Sequence, residues 1–158
     1  MGHDYPSLLA SALGREVVNA GVGGNTTRDA LQRLDADVLS HNPRLVIVEF
    51  GGNDFLQHFP REEIFRNLDT IVERIQAQGA MVVLLGVRPG LFGDATRSDY
   101  RRIAKSRRAV FVPDILEGIF TEPRFKSDEI HPNDLGYARI AERVLKVVQP
   151  LLEGGNAM

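Results

Sequence analysis

No cysteine occurs in the 158 residues, so disulfides, thiol nucleophiles and zinc–thiolate sites are excluded. The four histidines, His3, His41, His58 and His131, show neither H-x-x-H nor HExxH spacing, and no metal site is expected. No apolar run is long enough to span a bilayer, and no basic-then-apolar leader follows Met1. Both phosphate-binding fingerprints, GxGxxG and GxxxxGK[ST], are missing. Charge of one sign is missing too: 19 basic against 21 acidic side chains give a net −2, which leaves no electrostatic footprint for nucleic acid or an anionic membrane. The one basic cluster, Arg97, Arg101, Arg102, Lys105, Arg107 and Arg108, has the spacing of a solvated helix face. Nothing repeats, and no linker interrupts the chain.

What is present suits one domain over residues 1–158. Hydrophobic residues make up 43% and charged residues 25%, enough for a proper core. The most telling stretch is Leu45-Val46-Ile47-Val48-Glu49-Phe50, a strand buried on both faces, which runs into Gly51-Gly52-Asn53-Asp54. Met81–Val87 and Ala109–Pro113 read as further buried strands, and Glu16–Ala20 as a short one. Helices are expected at Pro6–Leu13, from Thr26 or Thr27 to Leu39, from Ile64 to Gly79, from about Asp99 to Arg107, and from Leu135 through Val148. Residues 91–97 read as a loop and 153–158 as a frayed tail. Strands alternating with helices imply an α/β fold, a parallel sheet covered by helices on both faces.

Three strand-end loops carry chemistry-bearing residues. Gly23-Gly24-Asn25 and Gly51-Gly52-Asn53-Asp54 combine backbone N–H groups with a neutral amide, a recipe for holding an oxyanion that also fits ordinary capped turns. In Asp128-Glu129-Ile130-His131-Pro132, an aspartate three residues before a histidine can accept from Nδ1 and leave Nε2 as a base. Taken alone, that pair fits a surface turn better than a catalytic one.

In order and spacing the three loops resemble the SGNH (GDSL-type) hydrolases, a family of esterases and lysophospholipases with a flavodoxin-like, three-layer α/β/α sheet. Asn19-Ala20-Gly21-Val22-Gly23-Gly24-Asn25-Thr26 looks like the family's second block, which implies that Gly24 lends its N–H to the oxyanion hole. Gly51-Gly52-Asn53-Asp54 matches the third block and gives Asn53 the role of side-chain donor. Asp128 and His131 with Pro132 match the fifth block, the acid and base of a catalytic triad. The segment Asp4-Tyr5-Pro6-Ser7-Leu8-Leu9 resembles the stretch directly after the family's first block. The resemblance implies an ester or lipid substrate, no cofactor, and an acyl pocket to which Phe55, Leu91 and Phe92 are candidates, although plain packing accounts for them as well.

The first block itself is missing. None of Ser7, Ser11, Ser40, Ser98, Ser106 and Ser127 follows a Gly-Asp pair at the end of an apolar strand. In the family that strand lies centrally, between those expected at Glu16–Ala20 and Leu45–Phe50. Losing it strands backbone groups at roughly 1–3 kcal/mol each, against a typical domain stability of about 5–15 kcal/mol. The expectation is therefore a natural start upstream of Met1, with the nucleophile on the preceding segment. As it stands the chain reads as cytoplasmic; an upstream start opens a periplasmic or secreted destination. The alternative is a catalytically inactive SGNH-like protein that binds a ligand or partner.

Overall fold

In the computed structural model, residues 4–88, 93–129 and 131–154 are described. The chain forms two compact units, residues 20–114 and residues 1–19 with 115–158.

The unit spanning 20–114 is an α/β layer. Helix α2 (Thr27–Asp37) is followed by a 3₁₀ turn at Leu39–His41 and then by strand β1 (Leu45–Glu49). A one-turn helix α3 (Gly52–Leu56) leads to the long helix α4 (Arg61–Ala77), and strand β2 (Met81–Leu85), helix α5 (Gly93–Arg107) and strand β3 (Val110–Val112) complete the unit. The strands are parallel in the order β1-β2-β3, with Leu45 opposite Met81 and Val83 opposite Val110.

Burial explains the apolar runs. Val82 and Leu84 point into a core shared with Ile64, Leu68, Ile71, Val72 and Ile75 of α4 and Ala30 and Leu34 of α2. Val83 and Leu85, on the opposite face of the same strand, are fully buried as well. A strand wetted on neither face reads as a continuous hydrophobic run, as β2 does.

The second unit holds helices α1 (Tyr5–Leu13) and α6 (Asp134–Gly154), which pack on each other. Pro6 sits in the first turn of α1, Asp4 caps it by accepting from Ser7 N at 2.9 Å, and Gly14 ends it at φ 59°. The Ser7 hydroxyl and N–H hold the Asp4 carboxyl below its usual range.

Three expectations need correction. Glu16–Ala20 forms no strand, and Val18 is 47% exposed. Two valines suit a pleated surface only where a neighbour pairs with it, and among the described residues none does. Helix α5 begins at Gly93, not near Asp99. Its first turns carry Thr96, buried to 1% exposure, so a polar composition concealed an inward face. At the C-terminal end, Glu153 and Gly154 continue α6 where a frayed tail was expected; residues 155–158 lie outside the described residues.

In the basic cluster Arg101, Arg102, Lys105 and Arg108 are exposed, whereas Arg97 and Arg107 are half-buried and pair with acids outside α5. Arg107 grips Asp69 through Nε at 2.8 Å and Nη2 at 2.6 Å, and Arg102 meets Asp99 at 3.1 Å.

One glycine in this unit fixes the turn after β1. Gly51 is buried at φ 115°, and any Cβ there would collide with Tyr100 Oη, which donates to Phe50 O at 2.6 Å. Burial pushes the Tyr100 phenol well up from its ordinary range. Gly51→Ala is expected to cost roughly 2–5 kcal/mol, from overpacking plus an unfavourable φ. In a Tyr100→Phe background the colliding hydroxyl is gone, and the same change should cost at least about 1 kcal/mol less. Strictly additive costs in urea unfolding would remove this contact from the explanation.

Candidate active site

The sequence-derived residues fall into two groups, one in each unit. In the unit spanning 20–114, residues Val22 to Asn25 make a tight turn closed by Asn25 N donating to Val22 O at 3.2 Å. Gly24 occupies its third position at φ 82°, the sign that a type II turn requires there. Space beside Gly24 is open, so its backbone angle, not crowding, calls for glycine. The turn is exposed, Val22 at 52%.

Asn53 lies in the first turn of α3, and its Nδ2 donates to Asn25 O at 2.9 Å. An amide nitrogen carries two hydrogens, so this bond leaves one for another acceptor. The two candidate oxyanion donors, Gly24 and Asn53, are thereby brought to adjoining stretches of chain.

Two further contacts hold the turn. Arg33, from α2, donates through Nε to Asn25 Oδ1 at 2.7 Å and through Nη1 to Ala20 O at 2.6 Å. Beneath it, Asp54 is fully buried and accepts from Thr27 N at 3.1 Å on both oxygens and from Thr27 Oγ1 at 2.6 Å. Thr26 rather than Thr27 is the N-cap of α2, in a capping box with Asp29; the Thr26 N–H and hydroxyl lower the Asp29 pKa. Thr27 is thus spared for Asp54.

In the other unit, Asp128 and His131 meet as the spacing suggests. Asp128 Oδ2 lies 2.8 Å from His131 Nδ1, Oδ1 lies 3.0 Å from it, and His131 N donates to Oδ1 at 2.8 Å. A carboxylate only accepts, so Nδ1 carries the proton and neutral imidazole keeps Nε2 as a base. Both side chains are well exposed, 55% for Asp128 and 62% for His131.

The loop is fastened to α6. Ser127 N donates to His131 O at 2.9 Å, and Lys126 bridges Pro132. Asn133 caps the helix by accepting from Gly136 N at 3.0 Å, while its Nδ2 donates to Arg124 O at 2.9 Å. Gly136 is buried, and a Cβ there would strike Phe125 O and Pro132.

None of the six serines follows a Gly-Asp pair in the sequence. Ser40, Ser98 and Ser106 donate to carbonyls three or four residues back, Ser7 serves Asp4, Ser11 lies exposed on helix α1, and Ser127 Oγ donates to the His131 carbonyl at 3.3 Å. Phe55, a candidate for the acyl pocket, is half-buried and tilts against Phe65 with ring centres 6.3 Å apart. Leu91 and Phe92 lie outside the described residues. No group of three or more metal-ligating side chains occurs among the described residues.

Arg33, Asp54, Asn67, Asn133 and Gly136 escaped the sequence reading. Gly136, a glycine inside a helical pattern, and Asn133, a cap residue just before a helix, left local signals; Arg33, Asp54 and Asn67 meet partners 8 to 40 positions away.

An α/β chain with an oriented Asp–His pair and two amide-bearing turns has the make-up of an ester hydrolase. Residues 1–139 match the GDSL-like lipase/acylhydrolase family; the chain belongs to that family and hence to the carboxylic ester hydrolases. It is 34% identical over 157 residues to esterase TesA of Pseudomonas aeruginosa, covering 96% of this chain and 73% of that one. It is also 34% identical over 142 residues to thioesterase 1/protease 1/lysophospholipase L1 of Escherichia coli K12, covering 86% and 68%. Among solved structures, TesA superposes with a TM-score of 0.84 at 31% identity, covering 94% of this chain and 89% of that one. The psychrotrophic esterase EstA from Pseudoalteromonas superposes at 0.82 with 26% identity, covering 96% and 88%.

Two glycines of α6 provide a test of how the His131 loop is held. Gly136→Ala should cost about 1–3 kcal/mol by overpacking, despite alanine's better helix propensity. Gly154→Ala, with open space around it, should cost nothing. Thermal unfolding distinguishes the two, and equal melting temperatures would show that Gly136 does not seat the loop.

Proposed function

We propose that the protein is a serine-type carboxylic ester hydrolase of lysophospholipase or arylesterase character, acting through an acyl-enzyme. The reading requires a nucleophilic serine on a Gly-Asp-Ser-like strand that the 158 residues do not include. The observation that carries this reading is His131 Nδ1 held by both Asp128 oxygens, which dedicates Nε2 to proton transfer.

In the reaction, serine Oγ attacks the ester carbon while Nε2 takes its proton. Gly24 N–H and the second Asn53 amide hydrogen stabilise the oxyanion. Collapse of the tetrahedral intermediate expels the alcohol, which receives the proton from His131. Water then repeats the sequence and releases the acid. No metal or cofactor enters. Phe55 contributes to the acyl pocket, and the names of the relatives support an ester, thioester or lysophospholipid as substrate class.

Two features are consistent with a further strand beside β1. Among the described residues β1 has β2 as its strand partner and no other. Val22, in the loop that would follow such a strand's neighbour, is left exposed.

The 158-residue chain is expected to hydrolyse p-nitrophenyl butyrate no faster than buffer. The chain extended by its in-frame upstream residues should turn it over, with or without a chelator. In the extended protein Asn53→Ala should lower kcat about 10²–10³-fold. Asp128→Asn should lower it between about 10-fold and the ~10⁴-fold of the serine proteases, because water screens so exposed a pair. Turnover by the 158 residues that vanishes in His131→Ala would place the nucleophile among them, and an in-frame stop directly before Met1 with no Gly-Asp-Ser triplet would favour an inactive SGNH-like protein that binds a ligand or partner.

A further inference from the structure

Asp54 is a fully buried carboxylate that the proposed reaction does not use. Its hydrogen bonds have only one possible direction. Thr27 N–H donates to both oxygens, and the Thr27 hydroxyl donates to Oδ1 at 2.6 Å. With its hydrogen so committed, Thr27 Oγ1 accepts from Asn67 Nδ2 of α4 at 3.1 Å. The chain Asp54–Thr27–Asn67 therefore joins the turn after β1, the start of α2 and the middle of α4.

Position gives this link its meaning. Asp54 follows Asn53 directly, and Thr27 stands two residues after Asn25, whose carbonyl receives Asn53 Nδ2. We propose that Asp54 is a positioning residue: through Thr27 it sets the separation between the Gly24 turn and the Asn53 amide. The inference rests on Gly24 and Asn53 being the oxyanion donors. Burial makes the setting firm, since a desolvated carboxylate deprived of its donors loses far more than one ordinary hydrogen bond. Preset donors are what oxyanion stabilisation requires, because reorganising them during reaction would consume the gain.

The test uses the protein together with any in-frame residues that precede Met1, and needs no catalysis. In ¹⁵N-resolved NMR spectra, the Asn53 Nδ2 proton bonded to Asn25 should stand apart from solvent-exposed asparagine amides, and the Thr27 amide should exchange slowly. Thr27→Val, which keeps shape but loses the hydroxyl, and Asp54→Asn should return the Asn53 signal toward the solvent position. Both should speed Thr27 amide exchange about tenfold or more. Thr27→Ser keeps both donors and should restore the native signature. Val83 and Leu84 amides report whether the sheet is intact. If Asp54→Asn does not fold, the Thr27→Val and Thr27→Ser pair decides alone. An Asn53 signal unmoved in Thr27→Val with the sheet intact, or lost equally in Thr27→Ser, overturns the positioning role. Ester hydrolysis does not enter the readout, so failure of the esterase reading would leave this result standing.

Discussion

A carboxylate with no exposure to water has to be met by donors, and Asp54 finds them 27 positions back along the chain. Desolvating an ionised group costs several kcal/mol unless hydrogen bonds replace its water. The turn after β1 therefore cannot close without the start of α2 beside it. Other features follow from that closure: Thr26 takes over the helix cap, Gly51 accepts the crowding of Tyr100, and Asn53 reaches Asn25. Arg33 secures the Val22–Asn25 turn ahead of α2.

The Asp128–His131 pair is built on the opposite principle. It is local, three residues apart, and open to solvent. An ion pair or hydrogen bond so exposed adds roughly 0–1 kcal/mol to stability. Folding energy therefore does not account for a loop fastened by Asn133, Pro132 and the missing side chain of Gly136. In the proposed reaction these contacts hold the imidazole in one tautomer, with Nε2 as the base.

The sheet shows how far a propensity reaches. Leu45–Glu49 and Glu16–Ala20 both contain paired β-branched residues, but only the first forms a strand. β1 has β2 in register along five residues, whereas the earlier segment has no ladder among the described residues. Side-chain preference for a pleated surface is worth little until a second strand supplies the hydrogen bonds.

The sequence by itself determined the α/β class, the strands β1, β2 and β3 within a residue or two at each end, the family, and the Asp–His contact. Each of these is written in a short window: an unbroken apolar run, a glycine after a helix, an acceptor three residues from an imidazole. The tertiary structure decided which threonine caps α2, where α5 begins, how Phe55 packs, and what Asp54, Asn67, Arg33 and Gly136 do. Those outcomes depend on partners 8 to 40 positions away or on a neighbour's volume. A polar residue in a turn looks the same in sequence whether it will face water or a buried threonine, because only the fold brings the second group within hydrogen-bonding distance.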